Sequence, residues 1–314
     1  MKIKSNAILS MLLSVNLGLA AAGMIFGSSV LAASAQVDKD QAVGSATVGE
    51  LQEANSRETL CEKYGWYSVR TENWYADETR EEENYYISGD QVVLDDQYIT
   101  QIRDDRKSDV YGYDKDQKKG FRYLFIEGAF DDFVKHNAFP QGFTATGKET
   151  FQDDDSKEGE MAVTATVSDL SRYDAEYFDN FGYSKNDIAS MTVKYVFDDE
   201  SYETLSMKSL LKLKDGNQVT LSSSTFSYAT EAYQPDAGIT EMISGNNSRS
   251  LSVTTDPGTS REAVYSQTVQ KGNMIMFYPF NGYMDLFTDS NCTQEYVSSE
   301  TDDQKDIHTY TKAK

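Results

Sequence analysis

Apolar and polar residues alternate along three consecutive stretches between Met191 and Tyr228. In the first, Met191, Val193, Tyr195 and Phe197 alternate with Thr192 and Lys194. In the second, Leu205, Met207, Leu211 and Leu213 alternate with Ser206, Lys208 and Lys212. The third runs from Asn217 to Tyr228. Successive strand side chains point to opposite faces, so period two predicts half-buried strands. Asp198-Asp199-Glu200 and Lys214-Asp215-Gly216-Asn217 supply turn chemistry between them, and Asp-Gly is a strong hairpin signal. The stretch predicts an antiparallel meander. A phase slip between Leu221 and Phe226 predicts a bulge.

The same alternation recurs upstream. It predicts strands over 66–75, 84–88, 91–94, 98–102, 110–113 and 121–126, with the charged run Asp77 to Glu83 as a turn. Strands arriving roughly every ten residues predict a large antiparallel sheet. A further strand over 160–167 puts Met161, Val163, Ala165 and Val167 on one face, after a polar loop over 152–159.

Helical spacing interrupts this pattern in three places. The run from Val48 to Tyr64 predicts helices near 47–54 and 56–64, with Asn55-Ser56-Arg57-Glu58 as a capping box and Gly65 as the stop. Phe130, Phe133 and Val134 fall at i, i+3 and i+4 and predict a short helix stopped before Pro140. Leu170, Tyr173 and Tyr177, with Phe178 and Phe181, predict a helical stripe ending at Gly182. Turn-forming residues over 234–238 and 244–248 precede a second pattern of short alternating stretches over 250–254, 263–269, 274–278 and 307–311. The predicted organisation is a signal peptide over 1–35, a flexible leader over 36–46, a large domain over 47–244 and a small all-β module over 245–314.

The first segment sets the compartment. Met1-Lys2-Ile3-Lys4, an apolar run from Ala7 to Ala32 and Ala33-Ser34-Ala35 match a secretory signal peptide removed after Ala35. An uncleaved anchor is the alternative, since the run is long enough to span a bilayer. No Cys follows the apolar run, and Thr311 to Lys314 carries no apolar tail or sorting signal. The expectation is a secreted chain, extracellular or loosely associated with the cell wall. With 51 acidic against 29 basic residues the formal net charge is −22. Such a surface repels phosphate backbones, which argues against nucleic acid and anionic membrane faces as partners. An exported chain permits a disulfide. However, Cys61 sits in a helical context and Cys292 in a turn, so two separate thiols are expected.

Catalytic chemistry is hard to find. His136 and His308 are the only histidines, and neither has a ligand partner at zinc spacing. There is no G-x-S-x-G elbow and no phosphate-cradling glycine loop. Asp153-Asp154-Asp155 lacks the Gly and Glu positions of an EF-hand loop, and Asp114-Lys115-Asp116 is followed by two more lysines. No catalytic residue, metal or cofactor is expected, and the chain is not expected to be an enzyme. The 21 Tyr and 15 Phe fit either core filling or a ligand-contacting surface.

Leu51-Gln52-Glu53-Ala54-Asn55, a short helix ending at Tyr64, a Tyr/Thr-rich strand and late paired strands with a Lys214-Asp215-Gly216 turn carry a resemblance. Over residues 47–233 the chain resembles the LolA/LppX-like lipoprotein-carrier fold, in secreted or lipid-anchored proteins of gram-positive bacteria. That resemblance implies an α+β fold: a curved antiparallel sheet, or half-barrel, with short helices on its concave side around an apolar cavity. It also implies a lipid-like ligand. The chain departs from the lipoprotein members in lacking the Cys after the signal peptide, which argues against a tethered shuttle. Thr254 to Thr259, Val269 to Gly272 and Phe287 to Thr293 are similar to small β-repeats of gram-positive surface proteins, of the internalin-repeat kind. These imply interaction rather than catalysis.

The expected function is a secreted, non-enzymatic binding or carrier protein holding an apolar ligand in the half-barrel. The alternative is a cell-surface or host-interface protein, with the C-terminal module contacting a cell-wall or surface partner and the large domain as scaffold. A curved sheet is too wide for its own side chains to fill, so helices must cover it. The expected pocket has Phe130, Phe133, Val134, Leu170, Tyr173 and Tyr177 as cover. Val193, Tyr195, Leu205, Met207 and Leu211 face them from the strands. An enclosure of that composition suits acyl chains.

Overall fold

A computed structural model describes residues 37–126, 128–145, 147–173, 175–235, 239–240, 247–279, 285–297, 299 and 302–312, with the backbone alone at 136, 172 and 176. The expected signal peptide and residues 236–238 and 244–246 of the expected boundary stretches lie outside this set. The chain is α+β and β-rich. It divides into two compact units, the first taking residues up to Gly89 with Lys135–Ala232, the second Asp90–Val134 with Tyr233 onward.

The first unit opens with a two-strand ribbon, β1 (Ala42–Val43) and β2 (Ala46–Thr47), at the end of the leader expected over 36–46. Val43 and Ala46 are buried there. Helices α1 (Val48–Ala54) and α2 (Arg57–Tyr64) follow as the apolar spacing predicts. The capping box is elsewhere than expected: Thr47 and Glu50 form it at the start of α1. Ser56 caps α2 by accepting from the Thr59 amide at 3.1 Å. Asn55 is freed for a long-range role. It donates from Nδ2 to the Leu51 and Tyr202 carbonyls at 2.8 and 2.9 Å and accepts the Thr204 amide at 2.8 Å. This pins the α1–α2 corner to a turn 149 residues away. The same turn holds α2: Glu203 accepts from Lys63 Nζ at 2.6 Å and from the Tyr64 hydroxyl at 2.7 Å.

A curved, unclosed sheet forms the body of this unit. Its strands are β3 (Trp66–Trp74), β4 (Arg80–Ser88), β9 (Thr150–Asp153), β10 (Glu160–Val167), β11 (Ile188–Asp198), β12 (Thr204–Leu213) and β13 (Gln218–Tyr228). They pair in the order β4-β3-β13-β12-β11-β10-β9, antiparallel throughout. Three registers slip, between Val196 and Phe197 on β11, between Ser209 and Leu210 on β12, and between Ile188 and Ser190 on β11. Each slip inserts an extra residue, which bends and twists the strand. Leu221 is the extra residue of the second slip, within the span where the sequence predicts a bulge.

Two expectations change here. Arg80 to Glu83 belong to β4 rather than to a turn, because each of them pairs across the ladder with a residue from Trp74 back to Thr71. The single helix expected over 170–181 is a 3₁₀ turn at Leu170–Arg172 followed by α4 (Ala175–Asp179). Asp169 caps the first piece by accepting from the Ser171 amide, and Tyr173 leaves helical geometry.

The second unit holds β5 (Gln91–Asp96), β6 (Ile99–Asp104), β7 (Asp109–Asp114), β8 (Lys119–Phe125), α3 (Ala129–His136, shared at its end with the first unit) and β16 (Met274–Tyr278). Strands β5 to β8 form an antiparallel meander, and β16 adds to β8 in parallel. A separate three-stranded sheet contains β14 (Ser248–Thr255), β15 (Ala263–Gln270) and β17 (Ile307–Thr311), in the order β15-β14-β17. Its β14–β17 pair is also parallel. Leu124, Ile126, Leu251, Val253 and Leu286 form one buried cluster in this unit.

Candidate functional site

Directly opposed residues of an antiparallel ladder share a face. In the first unit this places Val163, Tyr195 and Met207 in one row across β10, β11 and β12. Ala165 and Val193 lie in the next row, and Val167, Met191 and Leu211 in the one after. All of these residues are buried. Of the strand residues expected to line a pocket, Val193, Tyr195, Met207 and Leu211 therefore share one buried face. Leu205 does not keep phase. Val196 opposes Ser206 and Phe197 opposes Thr204, so Leu205 is the extra residue of a bulge and is only half-buried.

Leu170, Tyr173 and Tyr177 are buried in the same unit. Tyr177 packs against Tyr173 at 5.9 Å, Phe178 at 4.9 Å and Phe181 at 5.7 Å between ring centroids. Phe181 stacks on Tyr75 at 5.7 Å, and its carbonyl accepts the Ala76 amide at 2.9 Å. The segment carrying α4 is thus fixed to the chain just beyond β3. The Tyr173 phenol also lies near enough to Tyr195 to act on it electrostatically. Burial pushes the phenols of Tyr173, Tyr177 and Tyr195 well above their ordinary range, so they stay neutral hydrogen-bonding groups. Phe143 closes over Tyr195 and Phe197, at 5.2 and 5.8 Å.

Phe130, Phe133 and Val134 belong to the second unit. There Phe133 packs on Tyr123 at 5.0 Å, Tyr278 at 5.3 Å and Phe125 at 5.4 Å, and Phe130 meets Phe125 edge-on at 5.2 Å. Val134 is half-buried.

Sequence reading missed the other half of the buried face in the first unit. The row Val163–Tyr195–Met207 continues through Ser224 on β13, Thr71 on β3 and Glu83 on β4. The row Ala165–Val193 continues through Ser209, Ser222, Asn73 and Glu81. Thr71, Asn73, Glu83, Ser209, Ser222 and Ser224 are all at most 2% exposed. Thr71 and Ser224 hydroxyls lie 2.9 Å apart, and Glu83 Oε2 accepts from Asn73 Nδ2 at 3.2 Å and from the Tyr85 hydroxyl at 3.1 Å. Asn73 Oδ1, Ser209 Oγ and the Tyr177 hydroxyl are buried with no hydrogen-bond partner among the described residues. Thr71 and Asn73 continue the period-two phase of Tyr67 and Val69, and Ser222 and Ser224 that of Phe226. That phase was the available signal.

On the opposite face a cleft of about 290 Å³ is lined by Ser68, Arg70, Asn84, Tyr86, Thr225 and Ser227, together with Val69 and Tyr85. Glu82 engages Arg70 there at 2.6 Å. Among the described residues, no group of three or more His, Cys, Asp or Glu is placed to hold a metal ion, and no helix is long and apolar enough to cross a membrane. Cys61 and Cys292 are free thiols. His308 lies between the Ser252 and Thr254 hydroxyls, at 2.5 and 3.1 Å, on an exposed surface.

The sequence matches no family model and no curated protein. Among solved structures it is similar to a LolA superfamily protein from Nitrosomonas europaea, at 10% identity over 57% of this chain and 95% of that one. The TM-score is 0.21, and a superposition that loose carries no argument about ligand or role.

Proposed function

We propose that this chain is a non-enzymatic binding or carrier protein, acting outside the cell, that holds an apolar, lipid-like ligand on the inner face of the first unit's sheet. The observation that supports it is the ladder register. It puts Val163, Ala165, Val193, Tyr195, Met207 and Leu211 on one buried face; Leu170, Tyr173 and Tyr177, buried in the same unit, are proposed as its cover. The cover is a 3₁₀ turn and a five-residue helix, both too short to be stable without tertiary packing. A tail enters by displacing these aromatic rings from the face they cover. Phe130, Phe133 and Val134, expected in the same pocket, are proposed as a second apolar contact on α3.

Titration with the neutral fluorescent probe N-phenyl-1-naphthylamine tests this reading. Saturable micromolar binding is expected, lost on Leu211→Trp with the far-ultraviolet spectrum unchanged. Emission that never saturates, or binding indifferent to Leu211→Trp, would speak for a fully packed core.

A further inference from the structure

The inner face of the first unit is not uniformly apolar. Read across the strands, one central row changes character just after β12 and the other at β12 itself. One runs Val163, Tyr195, Met207 and then Ser224, Thr71, Glu83. The other runs Ala165, Val193 and then Ser209, Ser222, Asn73, Glu81. Within these two rows the face is split, apolar over β10 and β11 and polar over β13, β3 and β4, with β12 as the border, while Phe226, Val69 and Tyr85 form a buried apolar row beside them. Neighbouring strands lie about 4.8 Å apart, so the apolar half and its border span roughly 10 Å across the strands.

Buried polar groups normally find partners, and those without one are unusual enough to require a reason. Here the groups left over have a consistent chemistry. Asn73 Nδ2 faces the Glu83 carboxylate, which fixes the amide orientation and leaves Oδ1 as an acceptor without a donor. Ser209 Oγ and the Tyr177 hydroxyl can each give or take one hydrogen bond. The charged side chains buried in this unit, among the described residues, are Glu83, Glu149 and Glu203, with no buried lysine or arginine. A carboxylate or phosphate brought beside Glu83 would meet another carboxyl group and, among the described residues of this unit, no buried lysine or arginine to offset it.

We propose, resting on the carrier reading above, that the polar half is the head-group subsite of an amphipathic ligand. The ligand class is an acyl chain ending in an uncharged or cationic group that donates hydrogen bonds, not an anionic lipid. Asn73 Oδ1 accepts from the head group and Ser209 Oγ pairs with it at the border strand. Glu83 excludes anions. The tail lies over Val193, Tyr195 and Met207.

The test is displacement of N-phenyl-1-naphthylamine from the full chain by three ligands with the same tail: 1-oleoylglycerol, oleylamine and oleate. The hydroxyl and ammonium ligands are expected to displace the probe at concentrations about tenfold below oleate. Which of the two is tighter identifies the natural donor. Ser209→Ala is expected to weaken 1-oleoylglycerol about fivefold, leave oleate unchanged and not lower the thermal midpoint, since Oγ has no partner to lose. Glu83→Gln is expected to bring oleate up towards the other two. Oleate displacing as well as 1-oleoylglycerol, with neither variant altering the order, would overturn the head-group assignment while leaving the carrier reading intact. A chain that never binds the probe would overturn both.

Discussion

Asn73 donates from Nδ2 to Glu83 Oε2 at 3.2 Å, between adjacent strands and with both side chains buried. The bond organises the polar half of the face. Asn73→Ala should destabilise the chain by about 1–3 kcal/mol, because Glu83 keeps its burial and loses a donor. Ser209→Ala, two strands away, should cost close to nothing. Urea unfolding of both variants checks the contrast, and equal losses would contradict it.

The Asn55 side chain makes three hydrogen bonds, one to Leu51 within α1 and two, to Tyr202 and Thr204, that tie the α1–α2 corner to the turn between β11 and β12. Asn55→Ala should cost about 2–3 kcal/mol by leaving the Thr204 amide without an acceptor. A loss under about 0.5 kcal/mol, the range of ordinary surface changes, would contradict the bridge.

Asp114 gives a pH dependence. It is fully buried, and burial pushes its carboxyl above the usual range, against amide donors that pull the other way. The folded chain then holds that proton more tightly than the unfolded chain. Its contribution is fully present below the ordinary carboxylate pKa and is lost as pH rises through the raised folded value. Asp114→Asn should match the parent near pH 3 and become the more stable protein as pH rises towards 7, all values approximate. Thermal melts across that range check this. A gap that widened on acidification would contradict it.

Strand β16 ladders onto β8 in parallel, and Gln267 Nε2 donates to Asp109 at 3.2 Å. A protease site inserted between residues 241 and 246 should therefore yield two pieces that stay associated on native chromatography. Separation into two folded fragments would instead support an independent module over 245–314.

Much of the fold was legible because period two is a local signal. The alternation of Met191, Val193, Tyr195 and Phe197 states which side chains share a face, and the structure keeps that phase. Leu205 could not be placed that way. It looks in phase with Met207, but the register slip opposite Phe197 depends on how two strands meet. Parallel pairing of β16 with β8 is non-local for the same reason. On the face itself, sequence patterning picked out the apolar half and passed over Thr71, Asn73, Ser222 and Ser224. Polar residues in a strand read as solvent-facing unless phase is followed through them. Glu83 was hidden further, inside a charged run that resembles a turn.

Native mass spectrometry of the chain after exposure to extracted bacterial lipids tests the carrier reading most directly. The expected spectrum shows a one-to-one complex with an amphipathic lipid that survives desalting and disappears in Leu211→Trp while the charge-state envelope of the folded chain is kept. A spectrum of bare protein alone, with lipid in excess and the parent chain folded, would contradict it.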